Sequence, residues 1–558
     1  MNRVLIVFVL FFVSIYGSAQ KLDNEVSLQL KNRGEVYISI AISEANNYNL
    51  KYFDFDKKEN GRYYFYANKR AINSLNSKIN GFKLEPIPSL LEEVTMLEKA
   101  LDFSSNWDAY PTYDQYDSIM NKFATDYPQL CKIHNLGTLI SGRKILAIQL
   151  GDSVNVNQNE PKFLYTSTMH GDETVGYIIS LRLIEFLLQN YSTNARVQYI
   201  MNNVDLWINP LANPDGTYHT GNSSVNGATR YNMNYVDINR NFPDPQDGPH
   251  PDSKVYQQET NIFMKFADSV NFTMSANMHS GAEVVNYPWD TWSQLPADND
   301  WWIYVSKNFA DTVHLNSPSG YLTKFGTGFT NGFQWYSVNG GRQDYMNYFK
   351  HCREFTLELS NAKLLQESKL QAHWNYLYPS LLNYIEEVTY GINGRVTDSI
   401  TGFAIKAKVE ILNHDMDSSM IFTNDSGYYF RPIYAGTYDV KYSAKGYKSK
   451  IISNIICANS STIIKNVELA SGYDAINTAN IPQISIFPNP FNEIITINVN
   501  KRINYIKIID VLGKTVIIKD VSPNENNIKI DSSELPSGIY FLVISISDQQ
   551  YINKIIKK

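Results

Sequence analysis

The sequence predicts an α/β domain over residues 101–388, preceded by a small α+β unit and followed by two small β-sandwich domains. Three observations predict this. The chain has 558 residues, several times the roughly 150 that one domain commonly holds. Between residues 101 and 388, strand-like apolar runs mix with helical stretches at Phe163 to Thr168, Tyr177 to Leu188, Val204 to Ile208, Phe272 to Met278 and Phe355 to Leu359. After Glu387 the texture changes to short strands broken by Gly and Asp, as in Gly394-Arg395-Val396-Thr397-Asp398 and Asp425-Ser426-Gly427-Tyr428. A composition of 43% hydrophobic and 19% charged residues, with 29 Gly and 21 Pro, excludes collagen-like and wholly disordered chains. A net charge of -6 offers no basic field to hold a phosphate backbone, so nucleic acid is not an expected partner.

Taken in order, residues 1–19 read as a signal peptide: Arg3, an apolar run from Val4 to Ile15, then Gly17-Ser18-Ala19. The run is shorter than the roughly 20 residues a bilayer needs, and no later segment can span, so the mature chain is expected to carry no transmembrane segment. In residues 20–100, Val36, Ile38, Ile40 and Ile42 alternate, and Ala71, Ile72, Leu75 and Ile79 recur at helical spacing. This α+β unit shows no chemistry and suits an accessory domain or a pro-region. The first β-sandwich takes residues 389–470, a polar linker residues 471–483, and the last β unit residues 484–558, opening on Phe487-Pro488-Asn489-Pro490. Cys131, Cys352 and Cys457 are too few for a disulfide framework, and pairing of Cys131 with Cys352 stays open.

Eight of the nine histidines lie in residues 101–388, so imidazole chemistry belongs there. His170 and Glu173 stand three residues apart where a strand gives way to a helix. Alone, such acids serve equally to cap a helix. His279, ending the run from Phe272, supplies a third candidate, although a packed core histidine reads the same way. Two His, one carboxylate and an open position make a catalytic rather than a structural zinc arrangement. Arg230 and Arg240 flank a short loop containing Asp237-Ile238-Asn239, and an arginine fork suits a carboxylate, though solvated surface arginines are equally compatible. Glu358 alternates with Phe355, Leu357 and Leu359, on the strand face opposite them, where it is either a general base or part of a wet face.

Taken together, these segments resemble the zinc carboxypeptidases of the M14 family over most of residues 105–385. The resembling pieces are Tyr110-Pro111-Thr112-Tyr113, His170 to Glu173, Asn213 to Gly216, Asp237 to Phe242, His279-Ser280-Gly281, Trp335-Tyr336 and Thr356-Leu357-Glu358-Leu359. The resemblance implies a catalytic domain with a central mixed sheet flanked by helices, and one Zn2+ per chain held by His170, Glu173 and His279. It implies Glu358 as general base and Arg230 as the carbonyl-polarising residue of the regulatory (N/E) branch. Asn239 and Arg240 match the residues that clamp a terminal carboxylate, and Tyr336 the tyrosine that closes on the substrate. Asp290, in Asn286-Tyr287-Pro288-Trp289-Asp290, and Gln343 resemble the pocket residues of that branch, which removes terminal Lys or Arg. Arg342 departs from the branch's pattern, and pointing inward it would neutralise Asp290.

Residues 389–470 resemble the transthyretin-like domain of the same branch. Residues 484–558 resemble the C-terminal sorting domain of type IX secretion, through Asp510-Val511-Leu512-Gly513-Lys514 and Leu535-Pro536-Ser537-Gly538. The combined expectation is a secreted zinc metallocarboxypeptidase acting on peptides and proteins with free C-termini and exported by the type IX machinery. It would lie outside a Gram-negative cell or on its outer surface after Sec export to the periplasm. The alternatives are a surface module that binds C-termini without cutting, against which the intact Glu358 and ligand trio speak, and a carboxypeptidase acting on cell-wall peptides.

Overall fold

The computed structural model describes residues 24–50, 52–75, 81–91, 93–98, 107–472, 484–511, 513–521, 527–546 and 549–558. The signal-peptide segment and nearly all of the linker lie outside the described residues. Two compact units divide between residues 473 and 474.

The first unit opens with an antiparallel sheet of β1 (Glu35–Ala41), β2 (Asp54–Glu59), β3 (Arg62–Asn68) and β4 (Phe82–Glu85), in the order β2-β3-β1-β4. Its alternating apolar residues Val36, Ile38 and Ile40 pack with Phe53, Phe65 and Phe82. The opposite face of β1 is buried too, because Tyr37 packs with Tyr66, Ile87 and Tyr231 of the following domain. The predicted helix lies between β3 and β4 at Lys69–Ser74, its first turn capped by the Asn68 side chain, and Ile79 falls outside the described residues.

The α/β domain is built on one mixed sheet of eight strands. They are β5 (Cys131–Thr138), β6 (Lys144–Leu150), β7 (Lys162–Ser167), β8 (Asp205–Asn209), β9 (Met274–His279), β10 (Ala282–Tyr287), β11 (Phe329–Asn331) and β12 (Arg353–Ser360), in the order β11-β10-β12-β9-β7-β8-β6-β5. The middle strands β12, β9, β7 and β8 are parallel. One face carries α1 (Tyr113–Asp126), α2 (Val175–Asn190), α3 (Ala195–Asn203), α5 (Asn299–Asn316) and α7 (Leu370–Glu387); the other carries α4 (Gln258–Val270) and α6 (Arg342–Lys350). Successive residues of one strand therefore enter different cores, Phe163 and Tyr165 one and Leu164 the other. Cover on both faces is why Phe163, Leu164 and Tyr165 are apolar in succession rather than alternating with polar residues.

The β-sandwich after α7 has two four-stranded sheets around Val396, Val409, Tyr429, Val440 and Tyr442. It is fastened to the α/β domain by Arg431, whose guanidinium reaches Asp298 at 2.9 Å and Asp415 at 2.7 Å while Arg353 approaches Asp298 at 2.9 Å. The second unit is again all β, with a three-stranded and a four-stranded sheet around Ile495, Ile506, Ile528 and Leu542. All three cysteines are free and buried. Among the described residues no helix is long and apolar enough to cross a membrane.

Candidate active site

Parallel strands present their carboxyl ends on one side of a sheet, and ligands collect there. His170 follows β7, His279 ends β9, and Glu358 on β12 is the register partner of His279. The turn after β7 lies directly on the Asn213 to Gly216 turn. A Cβ on Gly171 would fall 2.3 Å from the Gly216 carbonyl carbon and 2.5 Å from Thr217 N, so only glycine fits. Asn213 knits the two together, its Oδ1 accepting from Gly216 N at 2.9 Å and its Nδ2 donating to Met169 O at 3.2 Å.

His170, Glu173 and His279 converge. His279 Nδ1 lies 2.8 Å from Glu173 Oε2 and 3.1 Å from His170 Nδ1, and His170 Nδ1 lies 3.1 Å from Glu173 Oε1. All three are buried, and their ligand atoms group as a metal set would. Two imidazole nitrogens and a carboxylate with room beside them are the donor set of catalytic zinc. The outer nitrogens fit as well. His170 Nε2 is 3.1 Å from Asp237 Oδ1, an acceptor that fixes the tautomer leaving Nδ1 free for a metal. His279 Nε2 is 2.8 Å from the Asn277 amide, whose Oδ1 is buried without a partner. Turning that amide over places the orphaned oxygen on Nε2–H and gives His279 the same tautomer. Burial pushes the His279 imidazole down to about 4, so the Nδ1 lone pair is available at neutral pH.

Arg230 is 5% exposed, not solvated, and Asp237 holds it at 2.8 Å. Asp237 thus orients both Arg230 and His170. Glu358 shares the cavity of these groups with Asn239, Arg240, Asp290 and Tyr336. Its strand face is not wet: Glu354, Thr356 and Ser360 are all buried, and Glu354 pairs with Arg342 at 2.9 Å. Both faces of β12 are covered because helices pack on each side of the sheet, α5 and α7 against Phe355, Leu357 and Leu359 and α6 against Glu354 through Arg342. Burial, then the charge of Glu173, pushes the Glu358 carboxyl up to about 8. Glu173 goes the other way: burial alone would raise it, but Lys363, His170 and imidazole hydrogen bonds hold it well below the carboxylate range.

Arg342 does not point at Asp290. Its guanidinium is taken up by Glu354 and lies over the Phe263 ring, 5.6 Å from the centroid. Asp290 is therefore without a neighbouring Arg342 cation: it is buried, accepts from Asn286 Nδ2 at 3.0 Å, and burial pushes it up to about 7. Gln343 is buried against the same carboxylate, close enough to lower its pKa but outside hydrogen-bond geometry. Asn239 Oδ1 accepts from Arg342 N at 2.9 Å, which ties the carboxylate-clamp candidate to the start of α6. Arg240 lies 3.7 Å from Asp54 of the N-terminal sheet, and the Tyr336 ring packs on Phe55 at 5.0 Å.

Lys363 is a site residue that sequence reading missed. Buried in the same cavity, its Nζ lies 2.7 Å from Glu173 Oε1 and 3.3 Å from Asp56 Oδ1. A lysine five residues beyond Glu358 carries no signal by itself. Asp237 was visible in its motif, but nothing in the spacing assigned it two partners. Asp298, His414 and Asp415 form a second potential metal group, yet Arg431 already satisfies both carboxylates.

The family described as zinc carboxypeptidase, Peptidase_M14, matches residues 116–380. The family described as secretion system C-terminal sorting domain matches residues 485–558. Carboxypeptidase M of Mus musculus is 31% identical over 63% of this chain and 80% of its own length. The carboxypeptidase N catalytic chain of Rattus norvegicus is 32% identical over 61% of this chain and 82% of its own. Carboxypeptidase D of Mus musculus is 31% identical over 65% of this chain, which spans 27% of that longer protein. The crystal structure of thrombin activatable fibrinolysis inhibitor shares the fold, with a TM-score of 0.50 and 15% identity over 64% of this chain and 99% of that one.

Proposed function

The chain belongs to the M14 zinc carboxypeptidases, and from that premise we propose that it is a secreted enzyme releasing the C-terminal residue of peptides and proteins, with a preference for Lys or Arg. The observation that carries the proposal is the convergence of His170, Glu173, His279, Arg230 and Glu358 on one cavity that also contains Asp290.

His170, Glu173 and His279 are the residues to hold zinc. When bound, the ion supplies Lewis acidity that brings the pKa of a coordinated water toward about 7. Glu358, as the carboxylate that a cation held by His170, Glu173 and His279 would favour, takes the proton from the attacking water and returns it to the leaving amine. Arg230, fixed by Asp237, donates to the oxygen on which negative charge develops. Arg240, with Asn239 beside it, grips the free carboxylate and so confines cleavage to the last peptide bond. Tyr336 covers the bound end. Asp290 receives the cationic side chain, and the engagement of Arg342 by Glu354 leaves it uncompensated for that purpose. Above about pH 7, where Asp290 is ionised, an apolar terminal residue would bury that charge without a partner, which is costly.

Residues 1–19 serve as the export signal, residues 389–470 as a transthyretin-like support for the catalytic domain, and residues 484–558 as the type IX sorting signal. Together they place the enzyme outside the outer membrane of a Gram-negative bacterium. The specificity is tested by comparing kcat/KM on matched peptides ending in Arg, Lys, Leu and Glu. Values for Arg and Lys at least about 100-fold above Leu are expected from a buried carboxylate; equal values for Leu would remove Asp290 from this role.

A further inference from the structure

Strand β10 measures out the cleft. Its antiparallel pairing with β12 sets Asn286 opposite Thr356, Val284 opposite Glu358 and Ala282 opposite Ser360. Asn286 holds Asp290, so the pocket for the removed side chain lies at the Asn286 end, and bond breaking falls in the middle beside Glu358. The residue before the scissile bond then falls toward Ala282, which lines the cavity together with Trp335. Along the other edge of β10, at that same end, the chain turns through residues 322–328 before pairing as β11. Leu322 N reaches Glu283 Oε2 at 3.5 Å, its carbonyl lies 2.8 Å from His314 Nε2, and Gly328 N donates to Lys324 O at 3.0 Å. The turn is thus firmly built, yet Phe325 sits in it at a φ of 60°, a left-handed backbone that bulky side chains rarely adopt, with its ring 51% exposed. Burial does not compensate that strain, and strain of this kind collects at functional positions.

What the turn places is Lys324. Its Nζ lies 4.3 Å from the centroid of the Trp335 ring and 5.9 Å from that of Phe325, and the two rings meet edge-on at 6.2 Å. Aromatic faces hold the ammonium in position without neutralising it. The lysine is half-buried: burial pushes its pKa down, and the charges of Glu358 and Asp56 pull it back. Asp56 itself is taken by Tyr37 OH at 2.6 Å and Lys363 Nζ at 3.3 Å, and among the described residues no carboxylate lies within ion-pair distance of Lys324. We propose that Lys324, backed by Trp335 and Phe325, is a specificity residue for the penultimate position, where it receives the carboxylate of an Asp or Glu that precedes the residue removed. The inference rests on the carboxypeptidase reading and adds a second charge to its specificity. A peptide ending in Glu-Arg sets its base at Asp290 and its acid at Lys324. A penultimate Lys meets an ammonium already partly withdrawn from water, and that repulsion selects against it.

The test uses the full chain with zinc and peptides that end in Arg and differ only in the residue before it: Glu, Gln, Ala, Phe or Lys. Values of kcat/KM are compared, and the same peptides compete with a fluorescent Ala-Arg peptide for chelator-treated protein. In both readouts Glu is expected to exceed its isostere Gln by about five- to tenfold, the upper end of what a partly exposed ion pair gives, and Lys to fall below Gln by a similar factor. Added salt shrinks both differences. In Lys324→Met the ratio of Glu to Gln falls to about 1, and in Lys324→Glu the order inverts in favour of Lys. These ratios are taken within one protein, so a variant that folds in smaller amount does not imitate the result. Equal values for Glu and Gln in the parent, a preference for Phe over Glu, or a preference for Glu that survives Lys324→Met overturns the role of Lys324 and leaves the carboxypeptidase standing. Release of Arg from none of the peptides overturns the carboxypeptidase reading and this inference with it.

Discussion

Glu173 and Glu358 lie in one cavity and are driven apart in acidity, the first held well below the carboxylate range by Lys363 and His170, the second pushed up to about 8 by burial and by Glu173 itself. Such a divergence separates a permanent anion from a group that can move a proton. Replacing Glu358→Gln is expected to lower kcat by about 100- to 10,000-fold with KM for an Arg-ended peptide within about twofold, as steady-state kinetics would record. Asp290 predicts a pH effect on binding. Its carboxyl is pushed up to about 7 by burial, so below that pH it is neutral and offers a cationic side chain no charge. KM for Arg-ended peptides should therefore rise about tenfold per pH unit below about 7 and level off above it. A flat KM from pH 5 to 8 would contradict this. At this scale the sequence was readable where a motif brackets the residue, as with His170, Glu173, His279 and Glu358. Lys363, Asp54 and Asp56 were not readable, because their meaning comes from contacts between segments far apart in the chain.

The α/β character and the strands ending in His170 and His279 were legible from apolar runs and their turn residues. The covering of β12 on both faces was not, since period-2 alternation marks two faces without saying whether the second is wet. That face buries Glu354, 0% exposed, against Arg342. Arg342→Ala would leave the carboxylate without its cation and is expected to cost about 3–5 kcal/mol, read as a lowered denaturation midpoint. A loss under about 1 kcal/mol would mean that Ser275, which donates to the same carboxylate at 2.6 Å, suffices. The turn after β7 is equally unforgiving. Gly171→Ala must push the chain off Gly216, displacing His170, and a shift of about 1 Å at a catalytic group costs about 100-fold in kcat/KM. Activity within about threefold of the parent would show that the turn yields without moving His170.

Across the whole molecule, the order of domains was legible from shifts of texture, while their fastening was not. Asp298 and Asp415 are buried at the junction of the α/β domain with the β-sandwich. Burial works to raise both, and Arg431 outweighs it, with Arg353 also acting on Asp298 and His414 on Asp415, so both are held below the usual carboxylate range. Folded values below the unfolded value of about 4 mean that this stability is present above pH 4 and drains away as pH falls further. Arg431→Met should leave Asp298 to Arg353 and Asp415 to His414 alone, lower the unfolding temperature at pH 7 and shrink the difference in stability between pH 7 and pH 3; an unchanged pH profile would show that the junction is held by packing and the remaining pairs. The account as a whole stands on one zinc ion working with Glu358 at a peptide's end. The most direct measurement incubates the full chain with a peptide ending in Arg, before and after chelation and after adding back zinc, and identifies the products by mass. Loss of a single terminal arginine, abolished by the chelator and restored by one equivalent of zinc, is the predicted result. Cleavage at internal bonds, or release that survives chelation, would contradict it.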